Sequence, residues 1–224
     1  MENIYSRQLD IFNPDFQQST IHIFGIGTIG SYTAFGLAKL GIKNIHIYDF
    51  DSVEEHNITN QMYRKENIGN LKSESLKETI EEYCFLNTCV SHNVKIEESN
   101  IREIVQNIRE NDIVILAFDN MESRNLIYQN IKDMKVNLID SRMGRELLRI
   151  FSLTNLPTNR KLELYEKSLI TQIEDIPCSA RSVNYNGMVI GGLISSIVKK
   201  ILTNDKPHFE LDFSLDTYDL IIES

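Results

Sequence analysis

Cysteine is scarce in this chain of 224 residues: Cys84, Cys89 and Cys178 are the whole complement, and no Cys-x-x-Cys pair occurs. A four-cysteine zinc site within one chain is therefore excluded, and no zinc is expected. The odd, sparse count suits a reducing compartment, so the expected location is cytoplasmic. Histidine offers no metal site either, since His22, His46, His56, His92 and His208 form no His-x-x-x-His or similar pair. Basic charge is in deficit, with 23 Lys and Arg against 32 Asp and Glu and a net charge of −9. A general nucleic-acid binder wants the opposite sign, because phosphate neutralisation supplies most of its affinity. Long apolar runs are missing too. The longest apolar-and-small stretch, residues 187–198, is too short to cross a bilayer. The opening Met-Glu-Asn-Ile-Tyr-Ser-Arg lacks the basic-then-apolar pattern of a secretory signal. Neither nucleic acid nor membrane is an expected partner.

What is present is ordinary for a globular protein: 42% hydrophobic and 25% charged residues. A chain of this length buries roughly 70% of its unfolded surface and needs no staples. Through the first 140 residues, apolar strand-like runs at 21–24, 45–48, 88–96, 113–117 and 136–139 alternate with helical spacing at 29–40, 71–83, 100–109 and 121–131. That alternation predicts a Rossmann-like, doubly wound α/β fold whose sheet is largely parallel. The pattern then changes. Residues 147–153 read as a strand, 155–178 as irregular, 188–202 as a helix with a broad apolar face, and 209–213 as a strand with one wet face. The expectation is a single domain over residues 1–224, its sheet extended by antiparallel C-terminal strands.

Gly25-Ile-Gly27-Thr-Ile-Gly30 follows a strand and opens a helix, the context a G-x-G-x-x-G phosphate loop requires. The first glycine permits the turn, the second lets phosphate approach the backbone, and the third allows close packing of helix on strand. The helix start offers N–H groups and a positive dipole end. Asp49 ends the second strand, where an acid holds an adenine ribose, and Asp51 follows it. Asp119-Asn120 closes the fourth strand, with Arg124 five residues on. Open sheets bind ligands beyond the carboxyl ends of their strands, which gathers Asp49, Asp51 and Asp119 around the glycine loop. A triphosphate needs cations and a magnesium-holding carboxylate; Lys72 and Asp119 are the candidates.

These residues resemble the ThiF/MoeB-like family, related to ubiquitin-activating enzymes. The resemblance runs from Tyr5-Ser-Arg7-Gln8 through the glycine loop and Ser31. It continues in Asp49-x-Asp51-x-Val53-x-x-x-Asn57, Gly69-x-x-Lys72 and Asp119-Asn120-x-x-x-Arg124. It closes with Cys178 and the helix that begins near Met188 and ends in Lys199-Lys200-x-Leu202. It implies an ATP- and magnesium-dependent enzyme that adenylates the C-terminal glycine of a small ubiquitin-like or sulfur-carrier protein. Under it, Asp49 holds the ribose and Asn57 and Lys72 contact the triphosphate. The nucleotide site would also draw on Gly25, Gly27, Gly30, Asp51, Gln61 and Asn120. Asp119 binds magnesium. Arg7 matches an arginine that reaches across a dimer interface, which implies a homodimer, and Cys178 matches a cysteine that accepts the activated carboxyl as a thioester or forms a persulfide-linked intermediate; the alternative for Cys178 is a buried, packed residue.

Two features depart from the family pattern. Asn60 stands where an arginine is usual in Asn-x-x-Arg-Gln, with Arg64 or Arg7 as possible substitutes, and the paired Cys-x-x-Cys zinc ligands are absent. Two rival readings follow. One is a catalytically degenerate family member that serves as a binding partner, favoured by Asn60. The other is an NAD-dependent oxidoreductase, which fits the glycine loop and Asp49 but leaves Lys72, Asp119 and Arg7 without a role. Cys84 and Cys89 read as packed, small hydrophobic residues.

Overall fold

A computed structural model describes residues 4–84, 89–156, 160–170 and 183–224. Its strands are β1 (Ile21–Phe24), β2 (Ile45–Tyr48), β3 (Cys89–His92), β4 (Ile113–Leu116), β5 (Asn137–Gly144), β6 (Leu147–Leu153), β7 (Glu210–Ser214) and β8 (Leu220–Glu223). Its helices are α1 (Thr28–Leu40), α2 (Lys72–Tyr83), α3 (Ile101–Val105), α4 (Met121–Ile131), α5 (Leu162–Ile170) and α6 (Asn184–Leu202). The strands form one sheet in the order β3-β2-β1-β4-β5-β6-β7-β8. From β3 to β5 every pairing is parallel; from β5 to β8 every pairing is antiparallel. This is the extended, mostly parallel sheet that the strand pattern predicts.

The central strands β1 and β4 are buried on both faces, which explains their unbroken apolar reading. Ile21, Ile23, Ile113 and Ile115 face a core shared with Ala34 and Leu37 of α1, Leu76 and Ile80 of α2, and Ile190 and Ile194 of α6. Phe24, Val114 and Leu116 face the other core, with Ile101 and Ile104 of α3, Ile127 and Ile131 of α4, and Tyr165 of α5. Helices thus cover both faces, as right-handed crossovers between parallel strands require.

Two elements are shorter than the sequence reading, β3 (Cys89–His92 against 88–96) and α3 (Ile101–Val105 against 100–109), and three differ in kind or extent. The stretch read as irregular contains α5, a helix of nine residues that buries Tyr165 fully and packs Leu162 and Leu169 against the same core. The strand read at 136–139 continues to Gly144 as β5, through a buried Asp140-Ser141-Arg142 whose polar groups find partners inside the protein. The strand β8 follows Glu210–Ser214 as a further edge; its four residues are all exposed, so alternation gives no signal.

One buried polar residue interrupts β1. The His22 ring lies between the Tyr48 hydroxyl, 3.1 Å from Nδ1, and the Asp112 carboxylate, 3.3 Å from Nε2. Parallel register sets His46 beside His22 and His92 beside Tyr48. The His46 and His92 rings approach to 3.0 Å between Nδ1 and Nε2, and Tyr48 stacks on His92 at 4.2 Å.

Candidate nucleotide and acyl-transfer site

In-register parallel pairing brings the carboxyl ends of β2, β1 and β4 level, with Phe24 opposite both Tyr48 and Leu116. The chain leaves all three strands at one edge. Gly25 N–H donates to Tyr48 O at 2.9 Å, and Ala117 N–H to Phe24 O at 2.8 Å. Gly25 then turns at φ +84°, and a Cβ there would stand 3.0 Å from the Ala117 carbonyl. A Cβ on Gly30 would stand 2.0 Å from the Gly25 carbonyl oxygen. Both positions therefore demand glycine, one for its turn and one for the approach of α1 to its own loop.

Gly27 is different. It is the N-cap of α1, without a side-chain cap, and a Cβ there would meet only the Gln61 amide nitrogen, at 3.9 Å. That is a small concavity at a helix N-terminus, the shape and polarity an anionic phosphate fits. Gln61 closes it from above, and its Oε1 is buried without a partner.

Asp49 props the loop. Its Oδ2 accepts from Ile26 N–H and its Oδ1 from Asp51 N–H, both at 2.9 Å. An ionised carboxylate has about four acceptor positions, so two remain for ribose hydroxyls. Burial pushes the Asp49 carboxyl up from its ordinary value, while the Lys72 charge and the two backbone donors pull it back in part. Tyr63, which the sequence reading passes over, donates its hydroxyl to Ile26 O at 2.7 Å and braces the loop from below. Burial, with the nearby Asp49 and Asp51 charges, holds that phenol protonated. Its only advance signal is its place two residues after Gln61.

Lys72 opens α2 and is nearly buried, its ammonium 2.9 Å from Asp51 Oδ2. Its backbone N–H also reaches the Asp51 carbonyl at 2.9 Å. The Asp51 carboxylate is half exposed, at 48%. Asn57 is buried, and its side chain caps the Glu54 N–H at 2.8 Å, which shapes the loop between Asp51 and Gln61.

Asp119 lies past the end of β4 and is exposed, 3.4 Å from the Asn120 amide. Asn120 caps α4 through Ser123 N–H at 2.8 Å. No cation pairs with Asp119 among the described residues. A lone, exposed carboxylate past the end of β4 offers the hard oxygen donors that fit magnesium, which binds one or two carboxylates and completes its shell with phosphates and water. Among the described residues no group of three or more His, Cys, Asp or Glu side chains is arranged to hold a metal ion.

Three other residues stand apart. Arg7 sits in an exposed turn whose Gln8 amide bonds Leu40 O at 2.8 Å, at the far end of α1. With Tyr5, Lys39, Tyr83 and Cys84 it lines a cavity of about 260 Å³. At 1.5 Å per residue, the far end of α1 is about 18 Å from its start, so Arg7 does not reach the phosphate loop of its own chain. Arg64 bonds Glu82 near the end of α2 and is likewise committed elsewhere. Cys178 lies outside the described residues. Cys84 and Cys89 are both buried and free, and burial pushes the Cys89 thiol up to about 12.

Fold and loop together define a Rossmann-type α/β protein with a phosphate-loop motif at the sheet's switch point. A model of the ThiF family matches residues 5–219, and the chain belongs to that family. It is 29% identical over 181 residues to the molybdopterin-synthase adenylyltransferase of Haemophilus influenzae, covering 76% of this chain and 73% of that protein. It is 28% identical over 151 residues to the SUMO-activating enzyme subunit uba-2 of Caenorhabditis elegans. That match covers 66% of this chain and 25% of the relative, so the chain spans about a quarter of that protein's length. The crystal structure of Escherichia coli MccB with ATP shares the fold at a TM-score of 0.80, with 17% identity, covering 100% of this chain and 72% of that one. Among the described residues no helix is long and apolar enough to cross a membrane.

Proposed function

We propose that the protein binds ATP at the glycine loop and adenylates the C-terminal glycine carboxylate of a small ubiquitin-like or sulfur-carrier protein, acting as a single adenylation domain over residues 1–224. The observation that carries this reading is the meeting of four groups at one sheet edge: the open Gly27 concavity, the half-used Asp49 carboxylate, the Lys72 ammonium and the uncommitted Asp119. An NAD enzyme uses the first two and leaves the others idle. The names of the relatives, an adenylyltransferase and a SUMO-activating subunit, support the same class.

In this reading the loop N–H groups and the α1 dipole hold the phosphates, and Asp49 orients the ribose. Lys72 leaves Asp51 for the triphosphate, and Asp119 is the residue that would hold magnesium, which when bound would supply charge neutralisation for the pyrophosphate. The carrier carboxylate attacks the α-phosphorus in line; one P–O bond forms, the bond to pyrophosphate breaks, and an acyl adenylate results. The protein's contribution is positioning and charge neutralisation. Arg7 serves the phosphates of a second copy, which its distance from its own loop supports, and the Cys178 thiolate displaces AMP from the adenylate to form a thioester or, once loaded with sulfane sulfur by a persulfide donor, attacks through its outer sulfur with the same loss of AMP.

ATP–pyrophosphate exchange in the presence of a carrier ending in glycine tests the proposal. Asp119→Ala abolishes exchange while the fold persists; unchanged exchange removes Asp119 from the reaction. Mixing Arg7→Ala with Lys72→Ala chains restores one competent site per heterodimer, and a fully active monomer removes the dimer. A carrier adduct that excess thiol cleaves and that disappears in Cys178→Ala, with adenylation intact, supports the thiol step. The second reading, a degenerate subunit, is favoured by Asn60 in the arginine position and by the bonding of Arg64 to Glu82. It predicts ATP binding without exchange.

A further inference from the structure

Asp119 hangs on a peptide that the sheet itself does not hold. Pairing of β4 with β5 ends at Leu116 and Asp140, and beyond that point β5 pairs only with β6. Ala117 N–H still donates to Phe24 O of β1 at 2.8 Å, but the carbonyls of Leu116 and Phe118 are held by Arg124, which projects from the first turns of α4. One guanidinium nitrogen of Arg124 donates to Leu116 O at 3.3 Å and the other bonds Phe118 O, the carbonyl directly before Asp119. The same group donates to Ser141 O at 2.8 Å, and the Ser141 hydroxyl donates to Leu116 O at 2.8 Å.

The guanidinium is itself gripped. Asp140 Oδ1 accepts from Arg124. Its Oδ2 accepts from Arg142 Nε at 3.0 Å, from Arg142 Nη2 at 2.7 Å and from the Tyr165 hydroxyl at 3.1 Å. Arg142 in turn donates to the carbonyl and hydroxyl oxygens of Ser168, at 3.1 and 3.0 Å. Asp140 and Tyr165 are fully buried, and Arg124 and Arg142 nearly so. Two cations thus share one anion out of water. Apolar residues of similar volume often serve stability as well or better than such a cluster. What apolar residues do not supply is a fixed donor at the Phe118 carbonyl.

We infer that Asp140, Arg124 and Tyr165 are positioning residues that set the place of Asp119 for the metal–nucleotide complex, with α5 as their outer anchor. This rests on the reading of Asp119 as the magnesium carboxylate. A network that served stability alone leaves the metal dependence unmoved when it is weakened in a folded variant.

The test weakens the network without emptying it. Tyr165→Phe removes one donor from Asp140 and keeps the ring. Arg124→Lys keeps the charge and loses the planar fork that reaches Asp140 and Phe118 O together. Arg149→Met breaks a partly exposed ion pair on β6 and β7, where Arg149 binds Asp212 and Glu210, and serves as the control. Two quantities are read: the magnesium concentration giving half-maximal ATP–pyrophosphate exchange, and the affinity of the protein–ATP complex for manganese by electron paramagnetic resonance. In both network variants the half-saturating metal concentration rises about two- to tenfold, the span one lost hydrogen bond corresponds to, while metal-free ATP affinity and the Arg149→Met control stay unchanged. Unaltered metal affinity in the folded variants, or an equal shift in the control, overturns the inference. If Arg124→Lys does not fold, Tyr165→Phe decides alone. Absence of exchange in the unmodified protein removes the adenylation reading, and the manganese titration still decides whether the network places Asp119.

Discussion

Two ion-paired carboxylates sit close to the same sheet edge and are built in opposite ways. Asp51 is half exposed and holds one cation, Lys72, through one side-chain contact of 2.9 Å. Asp140 is fully buried and holds Arg124, Arg142 and Tyr165 at once. The first pair is cheap to open, since a half-solvated carboxylate returns to water when its cation finds a better anion. The second is costly to open, because each partner would be left charged or unsatisfied inside the protein. An exchangeable pair suits a cation that must move to a ligand, and a locked cluster suits a scaffold that must not move. Asp140→Ala tests the locked side and carries the largest expected effect. It leaves two buried guanidinium groups without their carboxylate, and it should destabilise the fold by about 3–5 kcal/mol in chemical denaturation. A loss below about 1 kcal/mol, the ordinary worth of a surface pair, would erase the contrast.

Lys72→Met tests the exchangeable side. Its partner Asp51 is solvated, so stability should change by less than about 1 kcal/mol. Exchange activity should fall by about 10²–10³, the cost of removing one preorganised stabilising group from a transition state. Denaturation midpoints and initial exchange rates on one preparation measure both. A variant that loses stability and keeps its rate would reverse the roles assigned to the two pairs.

The contrast also explains what could be read in advance. The strands at 21–24 and 45–48 and the helix at 121–131 fall where apolar spacing puts them, because a central parallel strand or an amphipathic helix writes its burial into the local pattern. The glycine loop and Asp49 are legible for a similar reason, since tight turns and close approaches restrict residue type locally. Asp140, Arg142 and Tyr165 were not legible. Their partners lie 16 to 25 residues apart for Arg124 with Asp140 and Asp140 with Tyr165, and a polar network has no period. The usable signal was Asp140-Ser141-Arg142 running on from an apolar strand, since charges inside a sheet require partners. Helix α5 was missed with them: it packs Leu162, Tyr165 and Leu169 on the core, but nine residues carry that spacing over only about two turns.

A third polar cluster marks the limit of the contrast, since burial disfavours the charged form of His46 and His92 within it. His46 lies against His92 and His22, with Tyr48 and Asp112 as the other titratable groups in the cluster. Burial first, then the two neighbouring histidines, lowers the His46 pKa from 6.5 to about 4, against a smaller opposing pull from Asp112. The His92 pKa is lowered by the same two causes, burial and His22. A lowered histidine pKa in the folded state means that the unfolded chain binds more protons between pH 6.5 and about 4. Stability is therefore fully present above the unfolded value and falls as pH drops through that window. For a half-buried ring, solvent screening reduces the loss to the order of 1 kcal/mol. The raised pKa of Asp49 acts in the opposite sense at the acid end, so the histidine contribution is best isolated by difference. His46→Gln removes the titrating group, and its melting temperature should fall less than that of the unmodified protein between pH 7.5 and pH 5 (both about one unit or more from the ordinary histidine value). Identical acid sensitivity in the two proteins would show that the imidazoles tolerate charge where they stand, and would place this cluster with the exchangeable pair.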